Sequence, residues 1–101
     1  MGRRLLAALL VSSALVAGCD PPQIGPDKQA LRAVDALYTA IGLRDLGRVD
    51  QTEAELKKLA DSGQLPPSAS GAIEPAIALA RRGEWEPALD RLARFMEGQH
   101  R

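Results

Sequence analysis

From Asp27 onward, apolar side chains recur at three-and-four spacing: Leu31, Val34, Leu37, Tyr38 and Ile41. Such positions share one face only if the backbone is an α-helix. Asp27, directly after Pro26, is placed to cap its start. A second helix is predicted from about Arg48 to Asp61, with Val49, Leu56, Leu59 and Ala60 on one side and Gly63 beyond its end. Asp50 and Glu53 also have capping-box spacing, which would move that start to Asp50. A third helix covers roughly residues 72–82. Pro75 forces a choice there between a start near Ala72 and a kinked helix from near Pro67. The fourth runs from Trp85 to about Glu97, with Pro87 in its first turn and Gly98 as its stop. Alanine and leucine dominate the apolar residues, and β-branched and aromatic ones are scarce, which favours helix over strand. The expected fold class is therefore all-α, two antiparallel helical hairpins making four helices.

The two hairpins look alike. Laid on itself with a shift of 36 residues, the chain matches Ala36 to Ala72, Leu37 to Ile73, Ile41 to Ile77, Gly47 to Gly83, Val49 to Trp85 and Leu59 to Phe95. The second copy, "ALARRGEWEPALDRL" at residues 78–92, resembles a tetratricopeptide repeat. By that resemblance Gly83 closes the turn, Trp85 plugs the hairpin and Ala88 permits close helix approach. The first copy departs from the pattern, with Val49 in place of the aromatic and Thr52 in place of the alanine. The third helix is apolar most of the way round, and the first is polar only along Lys28, Arg32, Asp35 and Thr39. These two are expected inside, with the second and fourth outside. The resemblance implies a concave partner-binding face lined by Val34, Leu37, Ile41, Ile73 and Ile77. A compact four-helix bundle is the alternative arrangement.

The N-terminal end carries a different signal. Arg3 and Arg4 precede an apolar run at residues 5–16, interrupted only by Ser12 and Ser13. The run is too short for a bilayer core, which takes roughly 20 helical residues. Its length and flanks fit a secretory signal peptide. The chain's one cysteine follows in "LVAGC", residues 15–19. This stretch resembles the lipobox of bacterial lipoproteins. The resemblance implies a thioether-linked diacylglycerol on Cys19, cleavage before it, and attachment to the lipid bilayer of the cell envelope. An ordinary signal peptide followed by a free thiol is the plainer reading, and an exposed lone thiol is a liability in an oxidising compartment. The expected division is a signal peptide at 1–18, a lipidated cysteine and proline-rich tether at 19–26, a helical domain at 27–98 and a disordered tail at 99–101. The tether would reach only about 20 Å in extended form. Asp20 resembles the signal that retains lipoproteins in the inner membrane of enteric bacteria; the choice between inner and outer membrane stays open.

Charge and residue types exclude several function classes. The chain has 13 basic and 13 acidic residues, and removing Arg3 and Arg4 with the leader leaves 11 against 13, a formal charge of −2. That balance offers no basic stripe for nucleic acid. Tyr38, Trp85 and Phe95 are the only aromatics, too few for stacked bases. His100 is the single histidine, so no metal set is expected. The acid pairs Glu53–Glu55 and Glu84–Glu86 are spaced to face different sides of a helix. Ser62, Ser68 and Ser70 sit in turn or capping contexts without a neighbouring base. No catalytic residue, cofactor or small-molecule substrate is expected. The reading is a membrane-anchored helical adaptor that binds another envelope protein. A pilotin-like assembly chaperone, or a structural lipoprotein without a discrete partner, are the alternatives.

Overall fold

The computed structural model describes residues 21–100; Cys19, the signal sequence and Arg101 lie outside the described residues. Four helices follow one another: α1 (Lys28–Gly42), α2 (Leu46–Asp61), α3 (Pro67–Arg81) and α4 (Trp85–Glu97). No strand occurs among the described residues. Each start has a local cause. Asp27 is extended and accepts a hydrogen bond from the Ala30 amide at 2.9 Å, an N-cap as expected. Asp45 does the same for α2, accepting from the Arg48 amide at 3.1 Å, so that helix begins earlier than either predicted start. For α3 the longer option holds: Pro67 occupies the first turn, where a missing N–H costs nothing. Pro75 lies inside α3 and withholds a donor from the carbonyl of Gly71, four residues back. Gly71 is exposed, so water can supply the missing donor.

The helices form a closed ring. α1 packs on α2 and α3 on α4 within the hairpins, while α2 packs on α3 and α1 on α4 between them. In an open repeat array the first helix of one hairpin does not meet the second helix of the next. The α1–α4 contact therefore makes this a four-helix bundle. Ala30, Ala69, Ala76, Ala80 and Ala88 are fully buried, and side chains this small let neighbouring helices approach closely. Around them pack Val34, Leu37 and Ile41 of α1, Val49, Leu56 and Leu59 of α2, Ile73 and Ile77 of α3, and Leu92 and Phe95 of α4. Trp85 is half-buried against this core.

Equivalent positions of the two hairpins lie 39 residues apart, not the 36 of the sequence match. Lys28 to Pro67 and Leu46 to Trp85 are both separations of 39 residues. The turn hydrogen bonds repeat in the same register: Asp45 N–H to Ala40 carbonyl at 3.1 Å, and Glu84 N–H to Leu79 carbonyl at 3.0 Å. Val49 thus corresponds to Ala88, both fully buried, and Leu46 corresponds to Trp85. Gly83 closes its turn with φ +78°, but its counterpart is Arg44 with φ +55°, not Gly47, which lies within α2. A shift of 36 differs from 39 by nearly one helical turn, so apolar residues meet apolar residues in either register. Pattern matching alone does not separate the two.

Two glycine-to-alanine substitutions are expected to act in opposite directions. Gly83→Ala puts a Cβ on a left-handed residue and should cost about 1–2 kcal/mol. Gly71→Ala fills open space on a helix and should stabilise by about 0.5–1 kcal/mol. Urea denaturation of the two variants checks both signs.

Candidate functional site

Residues 21–26 do not trail away as a free tether. They cross one end of the bundle as a strap, held by two glutamines that use both donor and acceptor. The Gln23 Nε2 donates to the Gly98 carbonyl at 2.9 Å and to the Pro21 carbonyl at 3.2 Å, while its Oε1 accepts from the His100 amide at 2.8 Å. Gln99 answers in reverse. Its Oε1 accepts from the Ile24 amide at 2.7 Å, and its Nε2 donates to the carbonyls of Pro22 at 3.0 Å and Phe95 at 2.7 Å. Gly98 permits this approach, since a Cβ there would lie 3.4 Å from the Cβ of Pro21. Ile24, only 3% exposed, seals the end of the core. The folded unit therefore includes residues 21–26, and Gln99 and His100 belong to it rather than to a disordered tail.

The same end is tied to its other helices through Asp27. The Gln64 Nε2, in the α2–α3 connector, donates to Asp27 Oδ2 at 3.1 Å and to Gln29 Oε1 at 2.9 Å. Hydrogen bonds from the Ala30 amide, and next from Gln64, hold the Asp27 carboxyl below the usual carboxylate range. Two apolar grooves open beside the strap. One, about 610 Å³, runs between α3 and α4 from Pro21 and Pro22 past Gly71, Ala72, Pro75 and Phe95. The other, about 860 Å³, lies between the strap, α1 and α4, against Ile24, Pro26, Leu31 and Met96.

The docking face that the repeat resemblance implies is not available in this fold. Val34, Leu37, Ile41, Ile73 and Ile77 are between 0% and 2% exposed, because α4 closes over the side that an open array would leave uncovered. The exposed large apolar residues are instead Leu43 and Leu46, flanking the α1–α2 turn at the end opposite the strap, with Leu31 and Tyr38 along α1.

A charged cluster ties α3 to α2. Arg81 Nη2 donates to Glu53 Oε1 at 2.6 Å and to Asp50 Oδ1 at 2.7 Å, bridging α3 to α2. Asp50, then Glu53, raise the Arg81 pKa further above its ordinary value. Glu53 is buried, and this pairing compensates its charge. Asp50 and Glu53 thus serve a helix–helix clamp rather than a capping box. The Arg81 target Glu53, 28 residues away, carries no local sequence signal. Among the described residues no group of three or more His, Cys, Asp or Glu is arranged to hold a metal. No described helix is long and apolar enough to cross a membrane. No family model, curated protein or solved structure matches the chain.

Ile24→Ala should destabilise the domain by about 2–4 kcal/mol, measurable by urea denaturation, because Ile24 is a core residue and not part of a tether. Asp27 gives a pH dependence of definite sign. Its folded-state pKa is lowered, so its stabilisation is present at neutral pH and is lost as pH falls through the folded value. Carbon-detected NMR titration should place Asp27 below the ordinary aspartate value of about 3.9. The protection factor of the Ala30 amide, corrected for the intrinsic pH dependence of exchange, should fall over the same interval.

Proposed function

We propose that this chain is a bacterial lipoprotein precursor whose mature form is anchored by acylated Cys19 and presents its four-helix bundle to another protein of the cell envelope. The observation that carries the reading is "LVAGC" at residues 15–19, preceded by a positive head and a short apolar run. The physics of anchoring fits one modified residue. A buried methylene contributes about 0.8 kcal/mol, a single chain binds only marginally, and two or more chains hold a protein firmly. The division of labour along the chain supports the same reading. Among the described residues the core begins at Ile24, so the bundle is built downstream of the segment that cleavage removes.

The adaptor role rests on surface composition. Leu43 is 61% and Leu46 45% exposed, on either side of Arg44. In the second hairpin the positions 39 residues on are Arg82 and the half-buried Trp85. The first turn therefore offers an apolar contact that the second does not. Arg44, between the two leucines, adopts a left-handed conformation disfavoured for a non-glycine residue. Residues of this kind recur at functional sites. The bundle faces the periplasm in this reading, and Asp20 favours the inner membrane.

The test is a comparison of the natural chain with Cys19→Ser in a bacterial host. The natural protein should incorporate an alkynyl fatty acid, sediment with membranes and carry a diacylglycerol thioether by intact mass. Cys19→Ser should lose all three properties. An unmodified thiol in the membrane-bound natural protein overturns the proposal.

A further inference from the structure

Resting on the lipid-anchor reading, the geometry points to a bilayer-contact surface: the end of the bundle crossed by the strap is seated on the lipid headgroup–acyl boundary, and the α1–α2 and α3–α4 turns face away. Three observations carry this. The first is slack. Pro21 is fixed to the end of α4 by the Gln23–Gln99 clasp, and only Asp20 separates it from Cys19. Two residues span at most about 7 Å. A rigid body held on so short a leash cannot stand off the membrane, and the part nearest the leash must meet it.

The second observation is charge. The strap, residues 21–26, contains no charged side chain, and neither does the connector and first turns of α3 from Ser62 through Ile73. These two segments lie together, with Gly25 close to Pro66. The opposite end carries Arg44, Asp45 and Arg48 in one turn and Arg82, Glu84 and Glu86 in the other. Moving ionised groups toward the acyl boundary is costly, whereas uncharged turns enter it cheaply. Asp27, Lys28, Asp61 and Glu97 ring this uncharged patch at the strap end, so the patch, rather than the whole end, is what enters the acyl boundary, and neither turn at the other end offers its like.

The third observation is shape. Both grooves open beside the strap, one walled by Pro21 and Pro22 with Asp90 and Arg94 on its α4 side, the other by Ile24 and Pro26 with Asp35 and Glu97 at its edge. Leu31, 40% exposed, and half-buried Met96 add apolar surface to the second. Seating on lipid covers this surface, and it leaves Leu43 and Leu46 at the far end of the helices. Along α4 that separation is 13 residues, or about 20 Å. The membrane end and the partner end are thereby set apart.

The experiment uses the mature chain, residues 19–101, which contains every described residue and the whole core. Its one thiol, Cys19, is coupled to a maleimide phospholipid in phosphatidylcholine vesicles whose acyl chains are brominated. The natural fluorophore, Trp85, begins α4 at the far end and should keep its emission. In Trp85→Phe/Ser68→Trp the indole moves to an exposed position at the strap end, and its emission should be lost to bromine. Trp85→Phe/Pro67→Trp is a second reporter should the first fail to fold by circular dichroism. Equal quenching at both ends, stronger quenching of Trp85, or no quenching at either end overturns the seating. Attachment here is chemical, so this result is independent of acylation in cells. An unmodified thiol in the natural protein overturns the anchor reading, and the wrong quenching pattern overturns the orientation.

Discussion

The packing of α1 against α4 is the contact on which the rest of this structure depends. Without it, two hairpins side by side would expose the faces that carry Val34, Leu37, Ile41, Ile73 and Ile77. With it, those side chains become the centre of a ring. For a domain of this size the choice matters thermodynamically, because below about 80 residues a hydrophobic core leaves only a narrow margin of stability. Closing the ring buries the apolar area of both inner helices. Fully buried alanines on α1, α3 and α4 make the closure geometrically possible.

The strap completes what the ring begins. A ring of helices has two ends, and one of them is stoppered by Ile24. The two glutamines that hold the strap make six hydrogen bonds, four of them between segments 75 to 77 residues apart in sequence. Those bonds also satisfy carbonyls at the end of α4, which a helix leaves without partners of its own. The strap that finishes the core begins two residues after Cys19, the proposed lipid site.

The two hairpins share a backbone plan and differ in how they use it. Their turns repeat the same hydrogen bonds at a spacing of 39 residues. Gly83 supplies the left-handed residue in one, and Arg44 takes that conformation in the other. The second turn is polar with an aromatic folded in, and the first is flanked by exposed leucines.

Four helices, their order and most of their boundaries were legible from apolar spacing, Asp27, Gly83 and Pro87, because helix periodicity and capping are local properties. α2 starts at Leu46, two residues before Arg48 and four before Asp50, because turn geometry makes Asp45 the cap. Equivalent hairpin positions lie 39 residues apart where pattern matching gives 36, because one helical turn separates two equally apolar registers. Cys19 and its surrounding pattern were legible as linear signals and remain sequence information alone. The buried strap, the Gln23–Gln99 clasp and the Arg81–Glu53 pair were not legible, since each joins residues far apart in the chain through side chains that look solvent-facing in isolation. By itself, then, the sequence determined which residues become helix and which faces of those helices avoid water. Only the tertiary structure decided that the faces meet each other rather than a partner, because closure depends on how closely α1 and α4 can approach across a gap that no local pattern records.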